Sequence, residues 1–211
     1  MGKKSADRSE RSQERLTRRH LKRLGELADD QHARYTRPAA QGGKHAAWAN
    51  RRVAVVLAQG AAQHFLHPNG GHGVKDLDVW TFYARRPSAS LYPGRYETHA
   101  DFGPSVLGRN LYPPPLIGRQ KTWDAYDGRR VDFLVRELSV APTADPETVV
   151  AALRDWLARG AEQRCRCGED KRRNSSSHHL AHKAVVWIGT PLNRDRAGLK
   201  VWDSREDWPA S

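Results

Sequence analysis

The stretch from Lys75 to Tyr83 limits what this chain can fold into more than any other. Leu77, Val79 and Thr81 alternate with Asp76, Asp78 and Trp80, the period of a half-buried β-strand. Successive side chains of a strand point to opposite faces, so Asp76 and Asp78 share one face while Leu77 and Val79 look into a core. Two carboxylates at neighbouring same-face positions repel each other. They destabilise the strand unless a cation neutralises them, and a hard divalent ion with oxygen ligands is the natural choice. The plainer alternative is an exposed edge strand with solvated carboxylates.

A later stretch repeats the arrangement once. Val131, Phe133 and Val135 alternate with Asp132, and Asp127-Gly128 is a strong hairpin-turn pair joining Lys121–Tyr126 to Arg130–Val135. If this strand neighbours the first, three carboxylates converge. That geometry suits phosphoryl or nucleotidyl transfer, in which a two-metal clamp activates a hydroxyl and stabilises the leaving pyrophosphate. The competing role for Asp132 is to pair with Arg129 or Arg130.

The remaining pattern places these strands in an α+β (α/β) body, a small mixed sheet flanked by helices. Residues 9–35 read as a one-sided helix with Leu16, Leu21, Leu24, Leu27 and Ala28 on its stripe, and that stripe must lie on the body or on a partner. A second helical stretch is expected from Lys44 through Trp48. Val53–Leu57 is either the end of a helix or a buried strand, and Ala61–Leu66 reads as a short helix. Residues 84–118, rich in Pro, Gly and Arg, read as a long irregular insertion. Asp145 caps a helix over Pro146–Arg159 that Gly160 stops. Residues 163–179 are polar and basic, and apolar runs follow at Lys183–Ile188 and Leu199–Trp202. The division is a basic helical arm (1–43), a core (44–162) and a basic C-terminal segment that completes the body (163–211).

Charge is unevenly distributed. Residues 1–52 hold 14 Lys/Arg against 6 Asp/Glu, residues 53–150 hold 10 of each, and residues 151–211 hold 12 against 8. A neutral middle between basic ends suits a catalytic body with electrostatic handles for a polyanion, nucleic acid and tRNA in particular. Arg-rich solubilising helices are the alternative. No apolar run has the length of a membrane span, and no secretory signal opens the chain, so a soluble cytoplasmic protein is expected. Cys165-x-Cys167 with His178, His179 and His182 raises a zinc reading, against two reduced thiols and a His-rich helix start. Tyr92, Tyr96 and Tyr112 with Arg95 and Arg109 either stack RNA bases or anchor the insertion.

Gln59-Gly60-Ala61-Ala62-Gln63-His64-Phe65, then Lys75-Asp76-Leu77-Asp78-Val79-Trp80, then Val131-Asp132-Phe133-Leu134, together resemble the DNA polymerase β-type nucleotidyltransferase superfamily. Within it the layout is most similar to the minimal and toxin-type enzymes of bacterial toxin–antitoxin and abortive-infection systems. The resemblance covers residues 53–136. It implies an enzyme in which Asp76, Asp78 and Asp132 are catalytic and hold Mg²⁺ or Mn²⁺, with an NTP as substrate. It also implies that the turn at Gly60 and Ala61 holds phosphates through backbone N–H groups. Ala61 stands where the superfamily has a second Gly or a Ser. Lys75, Arg85, Arg86, Lys121 and Arg130 are candidates for pairing with phosphate oxygens, with Lys75 and Arg130 foremost.

The leading expectation is therefore a metal-dependent nucleotidyltransferase acting on a hydroxyl of RNA, protein or a small molecule. A catalytically degenerate fold that binds nucleic acid or a partner is the second. A metal-dependent nuclease is the third, although no Glu-x-Lys follows the acidic strand.

Overall fold

The computed structural model describes residues 11–37, 45–86, 98–109, 126–163 and 175–209. Helix α1 (Arg18–Thr36) leads into strand β1 (Arg52–Ala58), helix α2 (Gln59–Leu66) and strand β2 (Leu77–Ala84). Strands β3 (Thr98–Asp101) and β4 (Arg130–Leu138) follow, then helices α3 (Pro146–Ala161) and α4 (Ser176–Ala181), and finally β5 (Ala184–Trp187) and β6 (Lys200–Asp203). One six-stranded sheet runs in the order β3-β4-β2-β1-β5-β6. Strands β2 and β4 are parallel, and every other neighbouring pair is antiparallel. The fold is α+β with a mixed sheet.

Both faces of the sheet are covered, which decides the ambiguous run at Val53–Leu57. Val55 and Leu57 pack into one core with Leu21, Leu24 and Ala62, while Ala54, Val56 and Ala58 pack into the other with Leu153, Leu157 and Trp187. A strand buried on both faces shows no alternation, so its sequence is continuously apolar. Helices α1 and α2 thus cover one face and α3 and α4 the other.

The stripe of α1 lies on the chain's own body, with Leu21, Leu24 and Ala28 no more than 1% exposed. Burying each leucine side chain contributes about 1.5–3 kcal/mol, so that face is not available to a partner. The helix starts later than its periodicity suggests because Ser12 instead pairs with Val74, exchanging backbone hydrogen bonds of 2.9 and 2.7 Å. Of the helical stretch expected over Lys44–Trp48, the described residues form a 3-10 turn over Ala46–Trp48.

Three further expectations change. The insertion supplies the edge strand β3, which lies antiparallel to the start of β4. Strand β2 occupies the other side of β4. Asp127-Gly128 still turns the chain into β4, and its N–H groups donate to the Asp101 carboxylate at 2.7 and 2.9 Å. Gly160 lies inside α3 rather than ending it: a Cβ there would sit 2.4 Å from the Ser177 carbonyl carbon, so the missing side chain lets α4 approach. The polar segment 163–179 contributes the start of α4, capped by Ser175, whose side chain accepts from the His178 N–H. Residues 121–125, Tyr92, Arg95, Tyr96, Tyr112, Cys165 and Cys167 lie outside the described residues. Among the described residues no helix is long and apolar enough to cross a membrane.

Candidate active site

The parallel pairing of β2 and β4 sets Leu77 opposite Val131, Asp78 opposite Asp132 and Val79 opposite Phe133. The apolar members of these pairs belong to the core under α1 and α2. Alternation therefore raises Asp78 and Asp132 together on the other face, and Asp76 immediately precedes β2. The strand ends, not the sheet centre, carry the acids.

The site is electrostatically strained. Burial pushes the Asp78 carboxyl up to about 8, with Asp76 and Asp132 adding to the shift and Lys183 and Arg130 opposing it. The buried Asp132 takes contacts from two cationic or potentially cationic neighbours. One is His99, its register partner across β3–β4, with Nδ1 2.6 Å from Oδ1. The other is Arg130, whose Nη2 donates to Asp132 Oδ2 and lies 3.8 Å from Asp76 Oδ2. A single guanidinium thus reaches two of the three carboxylates. Burial raises the Tyr126 hydroxyl as well, with smaller contributions from Asp101 and Asp132.

The start of α2 adjoins this corner. Ala58 pairs with Asp78 in the β1–β2 register and is the N-cap of α2. It has no side-chain oxygen, and no side-chain cap closes the first turn. The helix N-terminus therefore presents backbone donors and the positive end of its dipole beside the carboxylates. Gln59 makes this turn with φ at 61°, a left-handed conformation that costs a non-glycine residue about 1–2 kcal/mol. Its Oε1 accepts from Lys183 Nζ at 3.5 Å. Nothing lies within 4 Å of a Cβ placed on Gly60, so the approach to the turn is open. Ala61 is 3% exposed and part of the core, so a small apolar residue there serves packing.

The cations expected near phosphate separate in space. Arg130 is in the site. Arg85 and Arg86 follow the opposite end of β2, where the Arg85 N–H donates to the Leu138 carbonyl. Lys75 sits beside Asp76, and its carbonyl accepts from Arg129 at 3.4 Å. Arg129 is buried and also holds the Leu107 carbonyl at 2.8 Å, which leaves Arg130 as the partner of Asp132. Lys121 lies outside the described residues. Sequence reasoning missed His99 and Lys183: the first sits in a stretch read as irregular, and the second immediately precedes β5, two strands away from β2.

For a metal, the donor set is oxygen-rich and suits Mg²⁺ or Mn²⁺. Neighbouring carboxylates, one of them held protonated by its surroundings, gain the most from a divalent cation. Among the described residues, however, the one triad of candidate ligand atoms all within 4.8 Å of one another is His67, Asp203 and Glu206. The three aspartates are spread more widely, with Arg130 against two of them. His67 and Asp203 form a 2.5 Å pair, and Glu206 is paired with Lys200 outside the triad, so each member already has a partner. In α4, His178 Nδ1 donates to the Gly160 carbonyl at 2.9 Å, and its Nε2 faces His182 Nε2 at 3.0 Å. The bond to Gly160 holds α4 on α3, and the contact with His182 lies within α4 and its C-cap. Set against protein-family models, curated proteins and solved structures, the chain matches none of them.

Proposed function

We propose that this protein is a metal-dependent nucleotidyltransferase that moves a nucleotide from an NTP to a hydroxyl group. The observation that carries the reading is the register pairing of Asp78 with Asp132 beside the uncapped start of α2. A cation-binding edge and an anion-binding helix end meet at one corner, as a metal–triphosphate substrate requires. Asp76, Asp78 and Asp132 would hold Mg²⁺ or Mn²⁺, which would supply charge neutralisation and orientation for the transferring phosphoryl group. The backbone N–H groups at Gly60 and Ala61 take phosphate oxygens, and Lys183 and Arg130 add positive charge. The acceptor oxygen bonds to the α-phosphorus as the bond to the pyrophosphate oxygen breaks. The acceptor proton passes to Asp132, which His99 orients through its 2.6 Å contact, and pyrophosphate leaves.

One observation favours a second reading, a protein of this layout that binds without catalysis. Arg130 already neutralises Asp132 and approaches Asp76, so a fixed side chain does part of what a metal would do. One incubation separates the two. Labelled NTPs, Mg²⁺ or Mn²⁺ and total RNA are mixed with the protein or with an Asp76→Ala/Asp78→Ala variant. Label transferred to a macromolecule and lost in the variant supports the enzyme. RNA binding that survives the variant, with no transfer by either protein, supports the second reading. RNA shortened without added NTP identifies a nuclease and rejects both.

A further inference from the structure

A second concave surface lies on the opposite face of the sheet. Helix α1 and the loop that leaves β3 border a half-open hollow of about 600 Å³, lined from the helix by Arg19, Lys22, Arg23 and Glu26 and from the loop by residues 102–106. Pockets of this volume take one small ligand or about one or two residues of a polymer. Arg19 and Arg23 are one helical turn apart, which sets their Cβ atoms about 5–6 Å from each other, with Lys22 on the same side. Three cations thus face one carboxylate, and Arg23 and Glu26 approach no closer than 3.6 Å with both side chains 46% exposed. A solvated pair of this kind contributes little and leaves the arginine available to a polyanion.

The loop side is held rigidly. Phe102 is buried and meets His20 edge-to-face at 5.8 Å between centroids, while Val106 is 66% exposed on the rim. The Asp101 carboxylate fixes the loop to the start of β4 by accepting from the N–H groups of Gly103, Asp127 and Gly128. Burial and the neighbouring Arg19 lower the His20 pKa, so the ring is neutral and the positive charge comes from the helix. Asp101 pairs with Arg130 in the β3–β4 register. The hollow therefore opens at the same end of β4 as the aspartates, around the edge strand from them.

From this geometry we infer that the hollow between α1 and the 102–106 loop is a docking site for the backbone of single-stranded RNA. The cations supply sequence-independent phosphate contacts. The cations form a single row on the α1 wall and the loop wall carries none, so the hollow meets the phosphates of one strand rather than two backbones. RNA presents single-stranded loops and ends as a matter of course, whereas cellular DNA is mostly paired. This identifies the acceptor class for the proposed transfer and rests on that reading only for its purpose; the binding itself is independent of catalysis.

The test is fluorescence anisotropy of the full chain with a short, unstructured, labelled oligoribonucleotide across a salt series. The arms are DNA of the same sequence, duplex RNA and a polyglutamate peptide. The variant Arg19→Gln/Lys22→Gln/Arg23→Gln replaces exposed side chains, and circular dichroism with thermal melting checks that it folds. Its affinity for single-stranded RNA is expected to fall about tenfold or more at low salt, with the log–log salt slope shallower by about 2. Val106→Glu, which places a negative charge on the loop rim, is expected to weaken binding without altering α1, and Glu26→Gln to strengthen it. Unchanged affinity and slope in the triple variant overturn the inference, as does a silent Val106→Glu. Equal loss for the duplex, DNA or the peptide points to a general anion surface and also overturns it. Asp78→Asn is expected to keep RNA affinity while losing transfer, so failure of the nucleotidyltransferase reading and failure of the docking site give different results.

Discussion

Asp78 and Asp132 stand directly opposite each other on adjacent parallel strands, and Asp78 carries the cost of that arrangement in its proton affinity. Its carboxyl is raised from 3.8 to about 8 by burial and by Asp76 and Asp132. Within that window the folded protein keeps a proton that the unfolded chain has released. Stability without metal therefore falls as pH rises from 3.8 towards about 8 and levels off above it. Asp78→Asn is expected to remove this slope, read from thermal melts across the pH range. Millimolar Mg²⁺ is expected to raise the melting temperature of the native protein above the upper end of the window and to leave the variant unchanged. A native protein with no slope there contradicts the electrostatic account.

Gln59 opens α2 with φ at 61°. Glycine takes this conformation freely, whereas glutamine pays the left-handed penalty. Gln59→Gly is expected to stabilise the fold by about 0.5–1 kcal/mol in urea denaturation, since relief of strain outweighs the extra entropy of an unfolded glycine. A gain in stability accompanied by slower transfer would mark the strained turn as part of the site. Loss of stability would show that the side chain holds more than its 3.5 Å contact with Lys183.

Gly160→Ala sets two effects against each other. In an open helix alanine is favoured over glycine by about 0.8–1 kcal/mol. Here its Cβ would meet backbone atoms of Ser177 at 2.4 and 2.6 Å, which no rotamer change relieves. Overpacking of this kind costs about 1–3 kcal/mol, and a backbone clash falls at its upper end, so net destabilisation of up to about 2 kcal/mol is expected, seen as a lower urea midpoint at unchanged slope. A more stable variant would show that α4 does not press on α3.

His32 links α1 to the sheet through Tyr83, with Nδ1 2.9 Å from the phenolic oxygen and Nε2 3.1 Å from the Ala49 carbonyl. Burial, reinforced by Arg52, lowers its pKa from 6.5 to about 4. The unfolded chain binds a proton in that window and the folded one does not, so stability falls as pH drops from 6.5 towards about 4. His32→Gln keeps a polar group at the position and is expected to flatten this acid limb. An unaltered limb would place the acid sensitivity elsewhere.

Much of the architecture was legible because local pattern and tertiary role agree. Alternation at Leu77–Tyr83 and Val131–Val135 marks strands whose two faces differ, and Asp145 with Pro146 marks the start of α3 because capping is a local event. Asp76 just before the first strand, Asp78 within it and the lone acid in the second were visible for the same reason. Asp127-Gly128 specifies a turn but not which strand lies antiparallel to β4. Strand β3 holds that place, and its Asp101 carboxylate satisfies the turn's own N–H groups.

By itself, then, the sequence determined the elements with a clear period, the three aspartates and the basic ends, because each is written within a few neighbouring residues. Tertiary structure alone decided that Asp78 faces Asp132, that His99 and Lys183 join them, and that Arg130 rather than Arg129 answers Asp132. Those choices depend on strand order and register between segments far apart in the chain, and no local propensity encodes a register across 54 residues.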